Sequence, residues 1–287
     1  MNILLHNIRL ELSSKKYQTI FEHLKPLLKT RIINYLDELK NNKRGRKRSF
    51  NLDTFLDCLF FMSDNGLKTF NIQKMFGIAK STFYQYYTLI SKGNLLEKIH
   101  SEIVTGYASG VPVDFLITDT FTVKSMNGSE GLGRNPTDRG RKGLKVSLIC
   151  DQNLVTHAVS LSPANCHDSK ILSETISASI TNIKGIKCLA DSGYAGSKYL
   201  SEIHRTTGLN LVSKPRRTRN HSKMSHVISE ADRLLLEKKR NYIERLNGNI
   251  RNFRGLMIKY TKKISTYKTL LFVAMLCITC YMIVISS

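Results

Sequence analysis

The stretch LITDTFTVKS, residues 116–125, places the carboxylate of Asp119 inside a run that otherwise predicts a buried β-strand. Strand interiors disfavour Asp, both by propensity and because burial of a charge costs free energy. Three explanations are open at this point. Asp119 is an edge or turn residue, or its carboxylate is satisfied by hydrogen bonds, or it is a metal ligand held by a rigid sheet.

The segments around this strand alternate between strand and helix patterns. After the strand at 113–123 come two strands around a turn at 151–153, a helix from 168, a strand reaching Asp191, a helix ending at Gly208, a short strand and a long helix over about 229–254. This order predicts an α/β domain, residues 109–287, in which a mixed sheet is flanked by helices. Residues 1–108 have apolar residues at three- and four-residue spacing and predict an all-α region.

One part of the helical region has the outline of a helix-turn-helix. Asn71 to Phe76 predicts a short helix, Gly77 a turn, and Ser81 the cap of a second helix that has Thr82 and Gln85 available on its surface. Such a pair of helices reads base edges and phosphates in many DNA-binding proteins. A helical hairpin with a purely structural role gives the same pattern, so both interpretations stay open.

The charge of the chain favours a polyanionic partner. Lys and Arg number 44 against 22 Asp and Glu, which gives a formal net charge of +22. Such a field attracts nucleic acid or an anionic membrane surface. The basic residues cluster at 40–48 and 214–223, where single clusters could also be solvated loops. The candidate phosphate contacts in these runs are Arg44, Arg46, Lys47, Lys214, Arg216 and Arg217.

The cysteines and the apolar C-terminal run bear on location. Six cysteines lie mostly in apolar stretches, and the first ten residues are mixed in character and predict no signal peptide, so we expect reduced thiols in a cytoplasmic protein. The pair Cys277 and Cys280 lacks the two further ligands that zinc needs. The apolar residues 270–285 fall short of the roughly 20 that span a bilayer. Either a buried helix packed on a sheet or a membrane segment explains them, and we expect no stable membrane association.

Two more acids occupy positions suited to chemistry. Asp191 ends an apolar strand and opens a turn, although it could simply cap the next helix. Glu244 lies on a helix rich in Arg and Lys, although it could simply pair with Arg240 four residues earlier. Carboxylates from two strands and a helix can converge and hold two divalent cations, as phosphoryl transfer requires. Mg²⁺ suits such a shell of carboxylate and water oxygens.

The segments ITDTFTVK, GRKGLKVSLICDQNLVTHAVSLSPANCHDSKIL, CLADSGYAG and RNYIERLNGNIRNFRGLMIKYTKK together resemble the DDE transposases of bacterial insertion sequences. The similarity is to the insertion-sequence-five group in particular. It implies a ribonuclease-H-like catalytic domain with Asp119, Asp191 and Glu244 as the catalytic and metal-binding triad. It also implies two Mg²⁺ ions, for which Mn²⁺ can substitute.

The Glu helix of related transposases carries a Tyr, Arg, Glu, Lys signature. Arg240 and Glu244 match that signature, whereas Glu237 stands where Tyr would be and Arg251 where Lys would be. The resemblance therefore implies that Arg240 and Arg251 face the DNA backbone. A His-Asp pair recurrent in the group matches residues 167 and 168, but a helix N-cap explains Asp168, so we leave both out of the catalytic set.

These observations predict a DNA transposase that cleaves and joins the ends of an insertion sequence. Its partners would be double-stranded DNA, namely the terminal inverted repeats and the target, and a second copy of the chain, because two ends must be joined. We expect it at the nucleoid in the cytoplasm. The alternatives are a DNA-binding regulator or an inactive element-derived protein, and a basic protein anchored in a membrane.

Overall fold

The chain is described by a computed structural model that covers residues 16–39, 51–66, 71–128, 130–217 and 225–286, and at residues 240 and 243 the backbone alone. These residues form two compact units. The first contains the described residues up to His100, the segment Met126–Glu130 and the chain from Ile250 onward. The second contains Ser101–Ser125 and Gly131–Asn249. The division at residues 108 and 109 stays a prediction.

The first unit is helical. Its described elements are α1 (Lys16–Glu38), α2 (Leu52–Asn65), α3 (Ile72–Phe76), α4 (Lys80–Lys92), the start of α5 (Leu95–Ala108), α9 (Arg254–Met257), the two-residue strand β7 (Ile258–Lys259) and α10 (Ile264–Ser286). Helix α2 ends at Asn65, because Gly66 adopts a left-handed conformation (φ 77°) and its N–H donates to Met62 O.

Helix α10 is the central helix of this unit. It is long and apolar enough to cross a membrane, yet most of it is buried against α1, α2 and α4. Side chains of the surrounding helices form hydrogen bonds with this helix. Ser63 donates to Leu270 O at 3.0 Å, and His100 Nε2 lies 3.0 Å from Thr279 Oγ1. The prediction that this helix packs on a sheet is therefore wrong, since its neighbours in the first unit are helices. The uniformly apolar run signals burial without specifying the partner.

A mixed sheet forms the second unit. Its strands are β1 (Phe115–Ser125), β2 (Gly133–Arg134), β3 (Lys142–Asp151), β4 (Thr156–Pro163), β5 (Lys187–Ala190) and β6 (Asn210–Ser213). Strand β3 pairs antiparallel with β1, β2 and β4, whereas β5 is parallel to both β1 and β6. The order β4-β3-β1-β5-β6 confirms the predicted ribonuclease-H-like sheet, with β1 in the middle.

Three helices flank this sheet: α6 (Asp168–Ser177), α7 (Ser197–Thr207) and α8 (Glu230–Asn252). Buried residues of α6 and α7 pack with the sheet into one apolar core that includes Leu116, Ile149 and Leu172. The central strand β1 is therefore covered over its first half. A side chain on β1 beyond this core has a fixed backbone and a partly open environment, which are the conditions that a binding site requires.

Candidate active site

Asp119 lies at the point where β1 leaves the core. The four residues before it are buried, and Asp119 is half-buried. Both of its carboxylate oxygens accept hydrogen bonds: Oδ1 from the backbone N–H of Thr120 at 2.7 Å, and Oδ2 from Asn247 Nδ2 at 2.8 Å. Hydrogen bonds thus account for the tolerance of a carboxylate in this strand. They also hold it in one orientation.

Asp191 immediately follows β5, the parallel neighbour of β1. Phe115 pairs with Lys187 and Ile117 with Leu189, so continuing this register by two residues brings Asp119 level with Asp191. Adjacent strands are about 4.8 Å apart. The carboxylate of Asp191 is exposed and accepts from Ser192 N at 2.6 Å, which caps a short 3-10 turn, Ser192–Tyr194. The capping role considered from the sequence is therefore real, but it applies to this turn and not to α7.

Glu244 projects from α8 toward the same place. It is exposed and lies one helical turn before Asn247, the residue that donates to Asp119. Residues three apart on a helix share a face. The α8 face that holds Asp119 therefore also carries Glu244. The alternative ion pair with Arg240 stays untested, because the side chain of Arg240 is outside the described part of the chain.

One cleft of about 370 Å³ unites the three predicted acids. Strands β1 and β5 form its floor and α8 one wall. Two cations and a further acid line it as well, and the cations partly offset the negative charge. Its charged lining residues are Asp119, Asp191, Glu244, Glu237, Lys214 and Lys239. Residues 119, 191 and 244, which are far apart in the sequence, thus share one open site.

Electrostatics within the cleft disfavour the ionised form of Asp119. Burial is the largest cause that raises the pKa of Asp119 above its ordinary value. The hydrogen bonds from Thr120 and Asn247 lower this pKa, whereas the negative charges of Asp191 and Asp168 raise it further, and the net shift is upward. A cation bound at the carboxylates would relieve both the desolvation and the repulsion.

Asp168 takes part in this site in a way that the sequence did not reveal. Its Oδ1 accepts from Thr120 Oγ1 at 3.0 Å and from Lys145 Nζ at 2.7 Å. Lys145 also donates to Cys166 O at 2.6 Å. The interpretation of Asp168 as the helix N-cap is wrong, because the N-cap of α6 is His167, whose Nδ1 accepts from Ser169 N. Asp168 instead braces the residue next to Asp119.

The available sequence signals for this network were weak. Thr120 adjoins the predicted acid, and Asn247 stands three residues after Glu244 on the helix that carries it. Only the second relation follows a rule of helical spacing. Lys145 lies on a different strand with nothing in its local pattern to mark it, and its role emerges when β3 pairs with β1.

The donor set of the cleft suits a hard divalent cation. Among the described residues, no three His, Cys, Asp or Glu side chains are close enough together to hold one ion. The donors are nevertheless all oxygens, as Mg²⁺ prefers. Asn247 does not line the cleft, but it binds Asp119 through Nδ2, and its Oδ1 is buried without a hydrogen-bond partner among the described residues. These residues therefore fit Mg²⁺, with Asp119 and Asp191 as the pair at the floor of the cleft.

The residues predicted to contact DNA lie in several places. Lys214 lines the cleft, and Arg216 and Arg217 are exposed just beyond β6. Arg251 is exposed near the end of α8. The predicted contacts Arg44, Arg46 and Lys47 fall outside the described residues, as does the side chain of Arg240.

The predicted helix-turn-helix is present as α3, a turn at Gly77 (φ 67°) and α4. Gln85 is exposed on α4 and Thr82 is half-buried. The predicted cap is wrong, because α4 begins at Lys80 with Ala79 at the N-cap position, so Ser81 lies within its first turn.

Comparisons with known proteins agree with this fold. Residues 112–279 match the family described as the transposase DDE domain. A Burkholderia cepacia protein assigned as a transposase for insertion sequence element IS402 is 29% identical over 140 residues. The match covers 46% of this chain, and the chain spans about 60% of the length of that relative.

A solved transposase structure shares the architecture at low identity. The cryo-EM structure of the piggyBac transposase synaptic complex with hairpin DNA is similar with a TM-score of 0.52 and 11% identity, covering 90% of this chain and 71% of that one. At this identity the likeness concerns the fold alone. The Mos1 transposase paired-end complex is 10% identical over 75% of this chain and 77% of that one, but its TM-score of 0.24 does not indicate a shared fold.

Proposed function

Because the chain belongs to the transposase DDE domain family, we propose that it is a DNA transposase that cleaves and joins phosphodiester bonds at the ends of an insertion sequence. The observation that carries this proposal is the cleft that Asp119, Asp191 and Glu244 all line. Strand β1, the residue directly after β5 and helix α8 supply these three carboxylates. Rigid elements are what positioning a scissile phosphate requires.

Asp119 and Asp191 would hold Mg²⁺ or, as a substitute, Mn²⁺, and Glu244 would complete the set of ligands. When bound, such ions supply a deprotonated water at neutral pH and stabilise negative charge on the phosphoryl oxygens. The raised pKa of Asp119 supports this role, because a bound cation would stabilise the ionised carboxylate that the cleft disfavours. Asn247 and Thr120 keep that carboxylate oriented while the cleft is open to solvent.

Cations around the cleft suit a phosphodiester substrate. Lys214 and Lys239 line it, and Arg240 and Arg251 belong to the same helix as Glu244. These groups would bind phosphate oxygens beside the scissile bond and offset the charge that grows on them in the transition state. Lys239 is held in place, since its Nζ lies 4.8 Å from the ring centre of Tyr242 and 5.5 Å from that of Phe115.

Recognition of the element ends would fall to the helical first unit. Helix α4 presents Gln85 and Thr82, and Arg44, Arg46 and Lys47 would add phosphate contacts. We propose double-stranded DNA as the partner, both as terminal inverted repeats and as target, with two copies of the chain on DNA so that two ends can be joined. The burial of α10 supports a protein without stable membrane association, and we propose a location in the cytoplasm, at the nucleoid.

The proposal is tested by Mg²⁺-dependent nicking of DNA that carries the element ends. Asp119→Asn and Asp119→Ala should abolish nicking while leaving the affinity for duplex DNA within a few-fold of wild type. Asp114→Asn is the matched control, because this exposed acid stands just before the same strand and outside the cleft. Wild-type nicking by the Asp119→Asn protein would disprove the catalytic role.

A second candidate is a DNA-binding regulator that does not catalyse. It is favoured by the spacing of the acids, since no three of the described ones are grouped closely enough to hold one ion. The same cations would then bind DNA without chemistry. Duplex binding by the wild-type protein, combined with no nicking in Mg²⁺ or Mn²⁺, would favour this function over the first.

A further inference from the structure

A tight turn between β2 and β3 presents a cluster of cations that lies outside both basic runs of the sequence analysis. We call residues 133–143 the basic hairpin. Its four cations are all exposed: Arg134, Arg139, Arg141 and Lys142. A fifth, Lys124 on β1, is also exposed and stands opposite Gly143, at the base of the hairpin, in the antiparallel register.

The hairpin is rigidly built around one buried side chain. Asn135 is 7% exposed. Its Oδ1 accepts from both the N–H and the hydroxyl of Thr137, and its Nδ2 donates to Thr122 Oγ1. The backbone of Asn135 also bonds Arg141 and Gly140 across the turn, at 2.8 and 2.9 Å. These bonds fix the direction in which the cations leave the backbone, and thereby lower the ordering cost of binding.

Two glycines at the base of the hairpin allow its backbone to pack closely against the rest of the sheet. Gly133 and Gly143 face each other in the register of β2 and β3. A Cβ on Gly143 would lie 2.6 Å from Val123 O, and a Cβ on Gly133 would overlap Asn165. The backbone is therefore packed directly against its neighbours at both positions. The hairpin is an extension of the sheet and not a free loop.

The cations on the hairpin repel one another within the protein. Arg134 lies directly opposite Lys142 in the antiparallel pair. Like charges in that position destabilise a sheet by about 0.2–1 kcal/mol. Asp138 is the hairpin's one acid, and its Oδ2 lies 3.5 Å from Lys124 Nζ. Among the described residues, none forms an ion pair with the four hairpin cations. An external polyanion would relieve this repulsion.

The tip of the hairpin carries an Arg where the backbone favours Gly. Arg139 has φ 50° and is followed by Gly140 with φ 70°. A non-glycine residue in the left-handed region costs about 1–2 kcal/mol. The side chain of Arg139 is exposed, so this residue adopts the left-handed conformation at a cost in stability that burial does not offset.

We propose that the basic hairpin binds the phosphate backbone of duplex DNA whose scissile phosphate lies at the cleft. This inference rests on the proposed function. The base of the hairpin at Lys124 lies five residues along β1 from Asp119, which is about 17 Å at 3.4 Å per residue. Arg134 and Lys142 stand one position further along the paired strands, on the same face of the sheet as Asp119. A duplex has one phosphate per strand for about every 3.4 Å of its axis. The hairpin would thus contact phosphates about five nucleotides from the scissile bond.

An anionic membrane surface is the weaker partner for this hairpin. Helices that lie on membranes combine cations with exposed apolar side chains that enter the lipid. No large hydrophobic side chain is exposed among residues 131–143, all of which the structure describes. A row of cations on an extension of the sheet can contact a regular array of phosphates. It has no exposed apolar side chain that could enter the interior of a bilayer.

The test compares two triple variants of the full chain that each lower the net charge by three. One is Arg134→Gln, Arg139→Gln and Arg141→Gln. The control is Lys170→Gln, Lys198→Gln and Arg205→Gln, three exposed cations on α6 and α7. Fluorescence anisotropy with a labelled 30-base-pair duplex, repeated over a series of salt concentrations, gives the slope of log K against log salt. The hairpin variant should lose about 2.7 of that slope, at roughly 0.9 per phosphate contact, and bind at least about tenfold more weakly near 0.1 M salt.

A second variant guards against a folding defect. Arg139→Gly removes the tip cation and relieves the left-handed strain, so its melting temperature should not fall, while its salt slope should decrease by about 0.9. An unchanged slope in both hairpin variants would overturn the inference, as would equal losses in the control triple. Binding to vesicles of 30% phosphatidylserine that is lost with the hairpin cations, with no change in duplex affinity, would also overturn it.

Failure of the proposed function would be seen separately. A wild-type protein that binds duplex through the hairpin and never nicks it supports the present inference and contradicts the transposase activity. Nicking that persists with an unchanged salt slope in the hairpin variants contradicts the inference and leaves the activity intact.

Discussion

Replacing Lys145 by Met should weaken the hydrogen-bond network that holds Asp119 in the candidate active site. The ammonium of Lys145 donates to Asp168 Oδ1 at 2.7 Å and to Cys166 O at 2.6 Å, and its side chain is only 12% exposed. Asp168 in turn accepts from Thr120, whose N–H orients Asp119. Methionine keeps much of the length and the apolar stem but removes the charge and both hydrogen bonds.

The expected destabilisation follows from burial and hydrogen bonding. A hydrogen bond to a charged group contributes about 1.5–3 kcal/mol, and breaking one partner of a fully buried ion pair costs about 3–5 kcal/mol. The side chain of Asp168 is 33% exposed, so water recovers part of the lost interaction. We therefore expect Lys145→Met to lower the free energy of unfolding by about 2 kcal/mol. For a domain of this size that corresponds to a fall in Tm of about 4–8 °C.

Thermal melts of four proteins in EDTA provide the assay: wild type, Lys145→Met, Asp168→Asn and the double variant. The double variant leaves no uncompensated carboxylate, so it should be more stable than Lys145→Met alone, with a coupling energy of about 1–2 kcal/mol. The matched control is the pair Lys187 and Asp232, whose side chains are 48% and 21% exposed at 2.8 Å. Its coupling should be below about 1 kcal/mol. Additive effects at Lys145 and Asp168 would refute the bracing role that we assign to this pair.

Three further predictions concern the carboxylate, the glycines and the buried helix. In EDTA, Asp119→Asn should raise Tm, because the raised pKa of Asp119 means that stability is lost as pH rises through that pKa. The gain should be absent below about pH 4, the ordinary range of the group, and full once the pH exceeds the raised pKa, and Mg²⁺ should stabilise only the wild type in these melts. Gly143→Ala should lower the free energy of unfolding by about 1–3 kcal/mol, because the added Cβ would overlap the carbonyl oxygen of Val123. Gly106→Ala lies in open space on α5 and should raise the free energy of unfolding by about 0.5–1 kcal/mol; denaturant titrations measure both changes. Leu276→Ala should cost about 2–5 kcal/mol in the same titrations, since this residue of α10 is 1% exposed; a negligible loss would show that the helix is not part of the core.

Elements with an unambiguous local pattern could be predicted from the sequence. Helix α7 ends at Thr207 because Gly208 adopts φ 72° and its N–H returns to His204 O. Strands β3 and β4 fall on either side of the turn where they were expected, since Asp151 Oδ1 accepts the N–H groups of Asn153 and Val155. Local hydrogen bonding by these residues makes the breaks visible in the sequence.

The contacts that complete the site could not be predicted in the same way. The bond from Asn247 to Asp119 joins residues 128 positions apart, and it depends on how α8 lies on the sheet. Lys145 becomes relevant only because β3 pairs with β1 in one particular register, with Lys145 opposite Thr122. A single sequence reports the periodicity of each element. It does not report the register or the packing angle that brings the elements together.

The arrangement of the acids argues for chemistry over binding alone. The register of β1 and β5 places two carboxylates side by side, and Asp168 adds a third negative charge close enough to raise the pKa of Asp119. In a protein that only bound DNA, Asn at position 119 would keep a side chain of the same shape, lower the repulsion and remove an anion from the path of the phosphates. The carboxylate costs stability and repels the proposed ligand unless a divalent cation lies between them. Its presence on the central strand of the sheet therefore supports our proposal of metal-assisted attack on a phosphodiester.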